Sequence, residues 1–167
     1  MKTLCRVTMV AVLLLLCISI MQAQTQETKI DQVEFMQKFI GSWKAEVGKD
    51  TIMVFDVLPY GKGSEREITL STKGEVISIA KMLFGYDEVN DKIIEAIIYK
   101  SSPNLMIRVW WATSQTTSEG VLLKDISDPE NADFKMKGVL KSPDLLVLTH
   151  IFNNKVVAEY NFVRQIK

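Results

Sequence analysis

Gly41-Ser42-Trp43 marks the point where the apolar pattern of this chain changes period. Upstream, Ile30, Val33, Phe35, Met36, Phe39 and Ile40 recur at the spacing that gathers on one side of a helix. Asp31 stands near the start of that helix, and Gly41 is placed to stop it. Downstream of Trp43 apolar and polar residues alternate, and turn-forming clusters arrive at short, even intervals. The pattern predicts a short helix and then strand after strand.

Strands are expected over 42–48, 51–58, 64–71, 75–84, 92–99, 105–112, 118–127, 134–141, 145–152 and 156–165. The breaks between them carry Gly, Asn, Asp and Ser, and all four prolines are assigned to these breaks, where a missing backbone N–H costs a ladder nothing. Connections this short favour antiparallel hairpins. The expected fold is therefore all-β: an up-and-down antiparallel β-barrel of about ten strands, with the N-terminal helix capping one end as a plug. Closure removes exposed edges and leaves an interior able to hold one small ligand. A β-sandwich would produce much of the same pattern. With no internal repeat, low-complexity tract or linker, the chain reads as one domain.

The first residues read differently. Lys2 and Arg6 precede an apolar run from Val7 to Ile20 that is short for a bilayer span, and Ala23 precedes polar sequence. Residues 1–23 are therefore expected to be a secretory signal peptide, cleaved after Ala23, with residues 24–167 forming the barrel domain. Lipidation at Cys17 is the rival reading, opposed by Leu16 where a small residue is needed. Cleavage would remove both cysteines, Cys5 and Cys17, so an exported domain would be held by packing and hydrogen bonds rather than disulfides. It would also remove two of the 20 basic residues, leaving 18 against 20 acidic ones. Such a balance lacks the electrostatic footprint of a nucleic-acid binder, and no transmembrane segment is expected in the mature chain.

Phe39-Ile40-Gly41-Ser42-Trp43-Lys44 and, near the other end, Tyr160-Asn161-Phe162-Val163-Arg164 resemble the calycin superfamily of lipocalins and fatty-acid-binding proteins. The resemblance implies that Trp43 packs inside the closed end of the barrel, behind Gly41, while Arg164 lies over its ring and bonds to nearby backbone. Phe84-Gly85-Tyr86-Asp87-Glu88-Val89-Asn90-Asp91-Lys92 further resembles the mid-chain hairpin of exported bacterial lipocalin-like domains. Two family features are missing. Arg164 is followed by Gln165 and Ile166 instead of completing the Arg-x-Tyr carboxylate clamp, and only Gly48-Lys49-Asp50 stands where fatty-acid-binding proteins insert a helix pair.

For a ligand in the lumen, Phe55, Met82, Phe84, Trp110, Trp111 and Phe152 are candidate apolar lining. Arg66, Glu95 and Arg108 sit mid-strand, where an inward-facing charge must be paired or must bind a polar head group. Arg108 beside Trp110 would suit an anionic ligand with an apolar tail, although burial statistics for arginine favour an outward face. Tyr99 and Tyr160 are candidate polar contacts at the rim. His150, the one histidine, is a candidate haem ligand by resemblance to nitrobindin-type barrels, or a general base. No nucleophile motif accompanies it, and a multi-ligand zinc or iron site lacks the residues. Calcium at Asp87, Asn90 and Asp91, or around Asp125, Asp128 and Asp133, matches no calcium-loop pattern. The expected function is an exported, non-enzymatic lipocalin-like protein that binds a small hydrophobic or amphipathic molecule without a cofactor. The alternatives are an interaction module with a solid barrel, meeting an envelope protein through loops 113–117 and 128–133, and a haem barrel using His150.

Overall fold

The computed structural model describes residues 29–166. The proposed leader, its cleavage bond and Cys17 lie outside the described residues. Helix α1 (Gln32–Gln37) is followed by ten antiparallel strands: β1 (Gly41–Gly48), β2 (Thr51–Tyr60), β3 (Gly63–Thr72), β4 (Glu75–Asp87), β5 (Lys92–Tyr99), β6 (Leu105–Ala112), β7 (Thr117–Leu122), β8 (Phe134–Ser142), β9 (Leu145–Phe152) and β10 (Lys155–Gln165). Each strand pairs with its neighbours in sequence, and β1 pairs with β10, so the sheet is a closed barrel and not a sandwich. Lys73-Gly74 and Asn153-Asn154 carry positive φ at both turn residues, the backbone that two-residue hairpins require.

Three expectations need correction. Helix α1 ends at Gln37, short of Gly41, which instead opens β1 at φ 125°. Pro59 lies within β2, opposite Ser64, one residue from the strand end where a lost ladder bond matters least. Strand β7 stops at Leu122, where the chain turns into two short 3-10 turns, Leu123–Asp125 and Pro129–Asn131.

The helix closes one end of the barrel. Asp31 caps it by accepting from the Glu34 N–H at 2.9 Å, and Phe35 and Met36 pack inward on Ile93 and Ala112. Its apolar face is thus spent on the core. Gln32 extends the sheet with its side chain: Oε1 accepts from the Ala112 N–H at 2.8 Å, and Nε2 donates to the Ala112 carbonyl at 3.4 Å. Lys38 Nζ reaches the Gln115 carbonyl at 3.1 Å, so loop 113–117 holds the plug. Beside the helix, Trp43 is fully buried and pairs in register with Arg164, whose guanidinium carbon lies 4.1 Å from the indole centroid. Arg164 donates to the carbonyls of Ile40, Lys38 (2.9 Å) and Pro143 (3.0 Å), which ties the helix exit to the β8–β9 turn. Gly41 makes room for this: a Cβ there would sit 2.7 Å from Arg164 Nη1. No described helix is long and apolar enough to cross a membrane.

Candidate functional site

Between the plug and the far end of the barrel lies a cavity of about 280 Å³. Its floor is Phe35, Met36 and Phe39, and it extends to the level of Leu70, Ser78 and Tyr99. Alternation along each strand places the lining. On β3 the inward set is Arg66, Ile68 and Leu70, and on β4 it is Ser78, Ala80, Met82 and Phe84. Of the candidates named from the sequence, Phe55, Arg66, Met82, Phe84, Glu95, Tyr99, Arg108, Trp110 and Tyr160 line this cavity, as does His150. Trp111 and Phe152 do not. Trp111 faces outward under the Lys92 ammonium, 4.7 Å from the ring centroid, and Phe152 is exposed near a hairpin.

Arg108 faces inward, against the expectation from its residue type. The reason is its cross-strand partner: Glu95 on β5 is directly opposite on the same face and is 1 % exposed. Arg108 Nε lies 2.8 Å from Glu95 Oε2 as an ion-pair contact, and Nη2 donates to Oε1 at 3.2 Å. Trp110 Nε1 donates to Oε2 at 2.7 Å, and Arg108 Nη1 approaches Met136 Sδ at 3.1 Å. The carboxylate is thereby saturated from two sides, which is what makes a buried charge tolerable.

Arg66 has no such partner. Its guanidinium carbon lies 4.7 Å from the Phe55 ring centroid and 4.5 Å from that of Phe84, on the two strands flanking β3. Its Nε is shielded from solvent and has no hydrogen-bond acceptor. Burial lowers its pKa to about 10; Glu95 offsets this in part, and the like charge of Arg108 adds to it. It remains a cation at neutral pH.

His150 stands half-buried between Phe134 and Tyr160, each ring centroid 5.5 Å from its own and edge-on. Burial, and then the charge of Arg108, hold its pKa below the usual imidazole value, so at neutral pH it is uncharged. For the haem reading, both flanks of the imidazole are occupied by aromatic rings. Among the described residues no group of His, Cys, Asp and Glu could hold a metal ion. The acidic run at the β4–β5 hairpin is turn chemistry: Asp87 accepts from the N–H groups of Val89 and Asn90 and from the Asn90 amide, while Tyr86 donates to Asp91 at 2.7 Å.

Gly120 escaped the sequence reading, although an isolated glycine inside a strand is a signal of close approach. It lies opposite Trp110 on β7, and a Cβ there would sit 2.6 Å from the indole ring. Gly120→Ala is expected to displace the indole from Glu95 and destabilise the protein by about 1–3 kcal/mol. A red-shifted tryptophan emission with a lower urea midpoint is the expected observation; unchanged values of both would show that the ring is not held there.

Compared with models of known protein families and with curated proteins, the sequence matches none. The reading of the site therefore stands on its geometry.

Proposed function

We propose that this chain is an exported, lipocalin-like carrier of calycin type that holds one small hydrophobic or amphipathic molecule in its barrel. The single observation that supports this is the cavity, enclosed by the barrel wall and the helix and lined mostly by aliphatic and aromatic side chains around one polar cluster. An apolar surface of this kind gains roughly 25 cal/mol for each Å² that a ligand removes from water, and a few fixed polar groups orient what binds. Export rests on the charged, apolar and small-residue pattern of residues 1–23. A solid interaction module is a poorer account, because a barrel built only to present loops has no use for an unfilled lumen.

The test is occupancy and its loss on filling the lumen. N-phenyl-1-naphthylamine, a neutral fluorescent probe, is expected to bind one per chain with enhanced emission. Ala80→Trp, which fills the cavity wall at a residue only 3 % exposed, should abolish that signal while leaving a folded barrel by circular dichroism. Equal emission from both proteins would place the probe elsewhere and reject the carrier reading.

A further inference from the structure

The charge inventory of the lumen is unbalanced. Among its described lining residues, Arg66 and Arg108 are cationic and Glu95 alone is anionic, with His150 uncharged at neutral pH. Glu95 is committed to Arg108 and Trp110, which leaves Arg66 as a net positive charge facing an apolar space. Its contacts with Phe55 and Phe84 use the charge of the guanidinium but none of its N–H donors. A half-buried cation whose shielded Nε–H lacks an acceptor carries a standing penalty in the empty protein. A ligand that brings its own acceptor removes the penalty.

We propose that the occupant of the cavity is a monoanion, a carboxylate on a medium-length apolar chain, with its head group on Arg66. The proposal rests on the carrier reading above and adds the chemistry of the head. A planar carboxylate accepts two parallel N–H bonds from a guanidinium, a match that neither an alcohol nor an amine can make. The cavity limits the rest: its room of about 280 Å³ suits a single chain of medium length. This position differs from the late arginine of fatty-acid-binding proteins, since Arg164 is fully engaged by three backbone carbonyls at the closed end. Arg108, the more obvious anion receptor from sequence, is already neutralised.

The experiment compares decanoate, decyl sulfate and decanol as competitors for bound N-phenyl-1-naphthylamine, in the native protein and in Arg66→Met. In the native protein decanoate should compete at about one-tenth the concentration of decanol or less, the difference expected for a charged hydrogen bond. Arg66→Met should erase that preference and leave decanol within about twofold. It should also raise the melting temperature of the empty protein by about 2–5 °C, because a side chain of similar length then fills the site without a charge. A purely structural arginine would give the opposite thermal shift. If decanoate and decanol compete equally, or if Arg66→Met keeps the preference, the anion proposal is overturned while the carrier reading stands. Stronger competition by decyl sulfate than by decanoate would overturn the carboxylate assignment. Failure of the probe itself to bind would remove the carrier reading instead.

Discussion

Glu95→Leu is expected to destabilise the protein by about 3–5 kcal/mol, the magnitude for removing one partner of a buried ion pair. The carboxylate is the only anion in the lumen among the described lining residues, and its loss leaves two guanidiniums, Arg66 and Arg108, in one apolar enclosure. It also strips the Trp110 N–H of its acceptor. The double variant Glu95→Leu/Arg108→Met removes the orphaned cation along with the anion, and should recover most of the loss because two apolar side chains of similar bulk repack the site. Urea denaturation of the single and double variants checks both halves. A single variant within about 1 kcal/mol of the native protein would mean that water in the cavity screens these charges, contrary to the burial described.

Arg164→Ala is expected to cost about 3 kcal/mol and to free the plug. Hydrogen bonds to a charged group contribute about 1.5–3 kcal/mol each where a buried partner is left unsatisfied, and here one guanidinium serves the carbonyls of Lys38, Ile40 and Pro143. The contact over Trp43 is lost with it, worth about 0.5–2 kcal/mol. Arg164→Lys should not restore stability, since a point-like ammonium cannot reach carbonyls in three directions while lying over the indole. Limited proteolysis is expected to cut near residues 30–40 in both variants while the strands remain protected. Resistance of that segment in Arg164→Ala would show that helix α1 is held without Arg164, by its packing on Ile93 and Ala112 and by the hydrogen bonds of Gln32 and Lys38.

Much of the barrel was legible because strand periodicity is a local property. Thr51 to Leu58, Lys92 to Tyr99 and Leu145 to Phe152 read as strands from short apolar runs between turn residues, and each falls within one. Where the reading slipped, the deciding contacts were not local. Residues 123–127 continue the apolar pattern of β7, yet the chain leaves the sheet there because β8 pairs only as far as Val121. Arg108 shows the limit most clearly. Its residue type favours the surface, and only the register that sets it opposite Glu95 turns it inward.

By itself the sequence determined the alternation, the turns and the helix before the first strand. These follow from backbone geometry and from residue types whose preferences act over a few positions. Which faces turn inward, that a cavity remains between them, and that Glu95 neutralises Arg108 and not Arg66 were decided by the tertiary structure alone. The reason is that closing a sheet fixes the register of every strand at once, and register determines which charges share the lumen.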